Sequence, residues 1–275
     1  MFSRVYVEIT NICNMNCSFC HGHSRDFRVM KQEEFRHILK QLKNHTQYIY
    51  YHLMGEPLTH PELPLFLQLA KDNGYKSVIT TNGTLLKKLG DDIVSIGVHK
   101  VNISVHSFEK GSNKSFNEYM SDIVEFADKA ADKGIIVVLR LWNGGSENLN
   151  DDVIAFFKEH LEGNWTENTK GITIRKNLYI EYDLRFGWPD IKADIQGDEF
   201  FCYGLRDHFG ILCDGTVVPC CLDSDGIINL GNIFKEDIDN ILASTRAKAI
   251  SEGFSHRKAS EELCKRCQYA QRFIK

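Results

Sequence analysis

The chain has 275 residues, 43% hydrophobic and 25% charged, which excludes a disordered or fibrous protein and leaves room for about two domains of ordinary size. Lys and Arg number 33 against 37 Asp and Glu, a net charge of −4 that argues against a nucleic-acid partner. No apolar run reaches the roughly 20 residues of a membrane span, and Met1–Thr10 reads as a strand without an export signal, so the expectation is a cytoplasmic protein away from membranes.

Short β-like runs alternate with helical patterns along the first two thirds of the chain. Strands are expected at Arg4–Ile9, Tyr48–Leu53, Ser77–Thr80, Lys100–Val105, Ile135–Leu141 and Gly171–Ile180, and helices at Lys31–Lys43, Pro61–Asn73, Thr84–Leu89, Phe116–Lys133 and Asp151–Leu161. The helices carry apolar residues at i, i+3, i+4 spacing, as in Phe35, Ile38, Leu39 and Leu42. Pro61 suits a first helical turn, and Gly74 and Gly134 suit helix ends. Strand–helix alternation implies an α/β fold with a parallel sheet of about six βα units, either an open partial barrel or a doubly wound sheet. In both, function sits at the C-terminal ends of the strands.

After about Asp198 the pattern changes. Phe209–Cys213 and Thr216–Cys220 flank Asp214-Gly215, a two-residue hairpin signal that puts Cys213 opposite Thr216. Short helices follow near Asp237–Ala243 and Ser244–Glu252. This segment is too small to hold a large core alone, and cross-linking through a metal centre accounts for its cohesion.

Nine cysteines without an export signal point to metal or cluster ligands rather than disulfides. They form two groups: Cys13, Cys17 and Cys20; then Cys202, Cys213, Cys220, Cys221, Cys264 and Cys267. The first group, C-x3-C-x2-C, follows the first strand and can wrap one centre. Two centres fit that spacing: a zinc ion with His21 or His23 as fourth ligand, or an iron–sulfur cluster whose three thiolates leave one iron open.

Cys13-Asn14-Met15-Asn16-Cys17-Ser18-Phe19-Cys20 resembles the C-x3-C-x-φ-C signature of radical S-adenosylmethionine (SAM) enzymes, with Phe19 at the aromatic position. Met54-Gly55-Glu56-Pro57 is similar to that family's GGEP motif, which implies that Gly55 and Glu56 bind the SAM amino group; Met54 departs from the usual glycine. Thr81-Asn82-Gly83 closes the third strand as it does in the family. Ser104 and His106 stand where the family sets polar groups against the SAM ribose, although Asp is common where His106 stands. Arg140 stands where relatives pair an arginine with the SAM carboxylate. The resemblance implies a partial (β/α)6 TIM-like barrel in which Cys13, Cys17 and Cys20 hold a [4Fe-4S] cluster and SAM chelates the open iron. One electron, from a donor such as flavodoxin or ferredoxin, then cleaves SAM to a 5′-deoxyadenosyl radical that abstracts a substrate hydrogen.

Cys202, Gly215, Pro219-Cys220, Leu230-Gly231-Asn232-Ile233 and Cys264-x2-Cys267 resemble the SPASM/Twitch extension of the same superfamily. The resemblance implies a small C-terminal Twitch-type hairpin and helix domain, at 196–275 after a radical SAM core at 1–195. No further cysteine follows Cys267, so one auxiliary [4Fe-4S] cluster is expected on Cys202, Cys220, Cys264 and Cys267, with a structural zinc as the rival. Cys213 and Cys221 are expected to be packed free thiols. Four-cysteine auxiliary clusters of this superfamily commonly accept electrons, and the chain is similar to Twitch-type dehydrogenases that oxidise a secondary alcohol of an amino-cyclitol. The expected reaction is therefore dehydrogenation of a small polar alcohol, with Asp183 or Glu181 as base and Arg185 as substrate anchor, the three sharing one face if the sixth strand continues through them. Modification of a peptide or protein is the alternative; a first strand already at Arg4, with no leader-recognition segment before it, weighs against it. A non-catalytic iron–sulfur or zinc regulator has no use for the strand-end residues.

Overall fold

The computed structural model describes residues 1–108, 114–142 and 149–273. Two compact units are interleaved along the chain. The first comprises Met1–Gly55, Asp72–Tyr75 and everything from Phe186 onward; the second comprises Glu56–Lys71 and Lys76–Arg185.

In the first unit β1 (Arg4–Val7) lies parallel to β2 (Tyr48–Tyr50) on one side and to β9 (His208–Ile211) on the other. β10 (Thr216–Val218) and the two-residue β11 (Gly231–Asn232) continue the sheet antiparallel beyond β9. Val5, Val7 and Ile9 are fully buried on one face of β1. Arg4, Tyr6 and Glu8 take the opposite face because strand side chains alternate. Helix α1 (Gln32–Gln41) buries Phe35, Ile38 and Leu39 and is tied at Leu39 by the Tyr75 hydroxyl, which donates to its carbonyl at 2.6 Å.

The second unit holds a sheet in the order β3-β4-β5-β8-β7-β6. β3 (Lys76–Thr81), β4 (Lys100–Ser104), β5 (Ile136–Leu141) and β8 (Leu178–Tyr182) are parallel, while β7 (Gly171–Arg175) and β6 (Thr166–Asn168) run antiparallel at the edge. Helices α2 (Leu63–Asp72), α3 (Leu86–Ile96), α4 (Phe116–Asp132) and α5 (Leu149–His160) fall between the parallel strands. α4 starts at a capping box: the Glu118 amide donates to Ser115 Oγ and the Ser115 amide to Glu118 Oε2. Among the described residues no helix is long and apolar enough to cross a membrane.

The α/β class with parallel βα units is as expected, and three local expectations are corrected. Gly171–Ile180 is not one strand but the β7–β8 hairpin, turned at Lys176-Asn177 with Asn177 at φ 66°; only β8 is the sixth parallel strand. The third helix is longer than the Thr84–Leu89 pattern, running to Ile96 and stopping at Gly97. The β9–β10 connection is a three-residue loop, since Leu212 faces Thr216 through its amide and Cys213 belongs to the turn. The remainder of the C-terminal segment holds α6 (Ile238–Leu242), α7 (Thr245–Ser255) and α8 (Glu262–Lys265).

Gly215 closes that loop at φ 88°, and an added Cβ would lie 2.4 Å from the Phe234 ring. Gly215→Ala is therefore expected to destabilise the protein by about 1–3 kcal/mol, read as a lower thermal midpoint at fixed scan rate; an unchanged midpoint would show that the loop relaxes freely.

Candidate functional site

Each unit carries a polar cluster at the C-terminal ends of its strands. In the first unit, the segment after β1 leaves the sheet, forms the Cys13–Cys20 loop and returns. The return is fixed: the Met30 amide donates to Ile9 at 2.8 Å, Thr10 and Val29 form an antiparallel bridge, and Asn11 Oδ1 and Nδ2 bond the Arg28 amide and the Asp26 carbonyl at 2.7 and 2.9 Å. The cysteine loop is thus a tip on a closed neck. Cys13 and Cys20 are exposed and Cys17 half-buried; the Met15 amide points at Cys13 Sγ and the Cys20 amide bonds the Cys17 carbonyl. Phe19 is half-buried. Of the neighbouring histidines, His23 Nε2 donates to the Asn11 carbonyl at 3.0 Å and His21 stacks on Trp188.

Gly55 follows β2 at φ 73°, and a Cβ there would meet the Thr10 carbonyl at 2.5 Å and the Asn11 backbone at 2.8 Å. Only glycine lets the β2 end lie against the start of the cysteine loop.

The second cysteine set belongs to the same unit. Cys264 and Cys267 bracket a turn closed by the Cys267 amide on the Cys264 carbonyl, and Cys202 accepts the Gly204 amide at 3.5 Å. Burial pushes the Cys220 thiol well up, and the charges of Cys221, Cys202, Cys264 and Cys267 push it further. Cys264 is raised in the same way by burial, then by Cys202 and Cys267. Among the described residues no three of these side chains are gathered closely enough to hold a metal ion, and the coupling of Cys220 and Cys264 to Cys202 and Cys267 is electrostatic. Cys221, coupled to Cys220, also hydrogen-bonds the Tyr6 hydroxyl and packs beside Tyr6, Leu53, Leu212 and Val218, and buried Cys213 lies 3.8 Å from Arg25 Nη1. Burial and the Glu8 charge push the Cys213 thiol up to about 12.

In the second unit the registers align residues from successive strands. Ile103 pairs Thr81, Ser104 pairs Arg140, and Arg140 pairs Glu181, so Ser104, Arg140 and Glu181 form one row across β4, β5 and β8. Glu56 is 2% exposed and accepts the Leu58 amide at 3.0 Å and the Asn82 amide at 2.6 Å. Burial pushes its carboxyl up to about 7 against these bonds. It thus ties the Glu56–Leu58 turn to the end of β3. The Asn82 carbonyl in turn accepts the Tyr119 hydroxyl. His106 Nδ1 meets the Arg140 carbonyl at 3.0 Å, and since a carbonyl only accepts, Nδ1 carries the proton and Nε2 is an acceptor. Burial pushes His106 down to about 4, helped by Arg140 and Arg185. The Arg140 guanidinium sits 4.3 Å over Trp142, and His106 stacks on the same ring; Trp142 carried no motif signal.

The continuous face expected for Glu181, Asp183 and Arg185 does not form. β8 ends at Tyr182, Asp183 Oδ1 turns back to accept the Leu184 amide at 2.8 Å, and Arg185 is exposed in the following segment. Arg185 still bears electrostatically on His106.

Two measurements follow. Gly55→Ala is expected to lower the thermal midpoint by about 5 °C or more, from the positive φ and the backbone overlap, with a parent-like midpoint as the contrary result. His106 titrates near 6.5 when unfolded and about 4 when folded. Between these values the unfolded chain binds the extra proton, so stability falls as pH falls. Glu56 acts oppositely: from 4.5 to about 7 the folded chain keeps a proton the unfolded chain loses, so stability falls as pH rises. His106→Gln should therefore flatten the loss of thermal midpoint from pH 6.5 to 4.5; an unaltered acid slope would contradict the neutral buried imidazole.

A profile described as the radical SAM superfamily matches residues 7–157, and one described as an iron–sulfur cluster-binding domain, SPASM, matches 202–268. A probable GTP 3′,8-cyclase of Saccharolobus islandicus (strain Y.N.15.51 / Yellowstone #2) is 28% identical over 266 residues, covering 83% of this chain and 86% of its own. One of Methanocaldococcus jannaschii is 27% identical over 262 residues, covering 82% and 86%. Among solved structures, BtrN in complex with AdoMet and 2-DOIA aligns with a TM-score of 0.64 at 18% identity, over 97% of this chain and 93% of that one. Streptococcus suis SuiB bound to S-adenosylmethionine aligns at 0.61 and 17%, over 97% and 72%, and SuiB has also been crystallised with its precursor peptide SuiA. At these identities the structural likeness is one of fold. The matched profiles span both polar clusters, and the chain belongs to the radical SAM superfamily, with a SPASM iron–sulfur domain, SAM and two [4Fe-4S] clusters.

Proposed function

We propose that the protein is a radical SAM oxidoreductase that dehydrogenates a small polar alcohol. The observation that carries this reading is the auxiliary set of four thiols, Cys202, Cys220, Cys264 and Cys267, which couple electrostatically. A [4Fe-4S] cube has one iron for each of four thiolates, so this set leaves no iron open for a substrate. Such a centre is suited to moving electrons, as an oxidation needs. When bound, SAM and the two clusters supply the hydrogen-abstracting radical and the acceptor for the substrate's remaining electron.

In this reading Cys13, Cys17 and Cys20 hold the first cluster, and Phe19 packs within their loop. Gly55 and Glu56 receive the SAM amino group, the neutral His106 offers Nε2 to a ribose hydroxyl beside Ser104, and Arg140 takes the carboxylate. Glu181 or Asp183 accepts the proton that the substrate hydroxyl releases, and Arg185 holds a polar group of the substrate. The functional division remains a core at 1–195 and an auxiliary domain at 196–275, with a one-electron donor such as flavodoxin or ferredoxin as partner.

A second reading, cyclisation of a nucleotide, is favoured by the cyclase names of the curated relatives. A third, peptide modification, is favoured by the fold shared with SuiB. The deciding experiment is anaerobic. Reconstituted protein should bind about eight iron per chain and about half that after replacement of Cys13, Cys17 and Cys20. With dithionite and SAM, an amino-cyclitol or sugar alcohol should raise 5′-deoxyadenosine above background with one ketone per 5′-deoxyadenosine, and Asp183→Asn or Glu181→Gln should slow ketone formation. Stimulation by GTP with no ketone from any alcohol would replace this reading with the cyclase one, and stoichiometric zinc at the C-terminal cysteines would remove the auxiliary cluster.

A further inference from the structure

Glu8 follows β1 and is fully buried, yet it is part of no motif discussed above. Every lone pair that faces a donor is occupied. Oε1 accepts Arg25 Nη1 at 2.8 Å and the Cys213 amide at 3.2 Å. Oε2 accepts Arg25 Nη2 at 2.8 Å and the Met54 amide at 3.0 Å. Arg25 is fixed in turn, with Nε donating to the Ser224 carbonyl at 2.8 Å. The neighbouring Arg28 donates to the Cys213 carbonyl and pairs with Glu34.

One carboxylate therefore joins four segments of the first unit. Cys13 lies five residues beyond Glu8, and Arg25 lies five residues beyond Cys20, so both stems of the first cysteine loop are held. Met54 immediately precedes Gly55, and Cys213 opens the hairpin loop that leads to Cys220. A surface ion pair does none of this. A bidentate pair bearing two backbone amides fixes direction as well as distance.

We propose that Glu8 is a positioning residue for SAM binding: with Arg25 it sets the Met54–Gly55 strand end against the stems of the cysteine loop and the auxiliary hairpin. This rests on the reading that Gly55 and Glu56 receive SAM. A carboxamide at position 8 keeps the volume but turns an N–H₂ toward donors, and so releases one of the two amides and half of the Arg25 grip.

The test uses the reconstituted full-length protein. Glu8→Gln should keep the parent's iron content, since every thiol remains, while the dissociation constant for SAM by anaerobic equilibrium dialysis rises about tenfold or more. The change that SAM produces in the EPR spectrum of the reduced N-terminal cluster should be reduced or lost. A role in stability alone lowers the thermal midpoint and leaves that spectral response intact. Glu34→Gln, which breaks the Arg28 pair in the same segment without touching Met54, should leave binding and spectrum unchanged. Parent-like SAM binding by Glu8→Gln, beside weakened binding by Glu56→Ala, overturns the proposal. Parent-like binding by Glu56→Ala overturns the SAM-site reading, and the proposal with it. If Glu8→Gln does not fold, Arg25→Lys decides: it keeps the charge and loses the bidentate contact, and a parent-like SAM response there overturns the proposal equally.

Discussion

A carboxylate without solvent must be neutralised and hydrogen-bonded where it stands, and the order of the first unit depends on how Glu8 meets that demand. Breaking a buried pair by removing one partner costs about 3–5 kcal/mol because it leaves an uncompensated charge. Glu8 and Arg25 are therefore fixed together, and what is attached to them is fixed as well. The two stems of the chain between them meet at the end of β1. The Asn11 and Thr10 bonds to residues 26–29 continue the same closure. The outcome is a cysteine loop on a closed neck, with Cys13 and Cys20 exposed.

The second unit solves a different problem. Its strands are buried by apolar residues on one face, with Val101, Ile103, Val137 and Leu139 all fully buried. On the other face polar groups concentrate toward the C-terminal ends, where Ser104, Arg140 and Glu181 share a row. The polar groups around this row are held by backbone bonds and ring contacts. Glu56 bonds amides, His106 bonds the Arg140 carbonyl, and Arg140 rests on Trp142. His106 in particular is kept neutral beside two arginines, so it offers a lone pair where a charged imidazole would offer none.

Much of this was legible in the sequence because it is written in local patterns. The alternation of apolar runs and helical spacing carries the βα order, and the C-x3-C-x2-C and C-x2-C spacings carry the cysteine sets. The misses have one origin, which is that non-local pairing leaves no local mark. Gly171–Ile180 reads as one strand because Lys176-Asn177 is not a glycine turn, yet Asn177 tolerates the positive φ that a hairpin demands. Asp214-Gly215 signals a tight turn, and the register of β9 against β10 added Cys213 to it. The pairing of β9 with β1 spans about two hundred residues and has no sequence signature; nor does the meeting of Glu8 with Arg25, since Arg4, Tyr6 and Glu8 alternate as an ordinary solvated face would. Arg185 was placed by extending a two-residue period past Tyr182, where the strand had already ended.

The auxiliary segment shows how the two sources of order divide the work. β9 needs no cluster, since β1 supplies its ladder, and Leu212 and Val218 pack with Tyr6 and Leu53. That anchors Cys220 from one side. Cys264 and Cys267 belong to a short helix and a turn with few apolar contacts of their own, of which Leu263 and Ala270 are the buried ones. Their thiols are raised by burial and by neighbouring cysteines, Cys202 among them for both. Iron reverses the sign of that interaction: thiolates that repel in pairs are each attracted to the cluster, and protons leave as it forms. On the proposed ligand assignment, the sheet fixes the hairpin that carries Cys220, and a bound cluster would tie the Cys264–Cys267 turn to it.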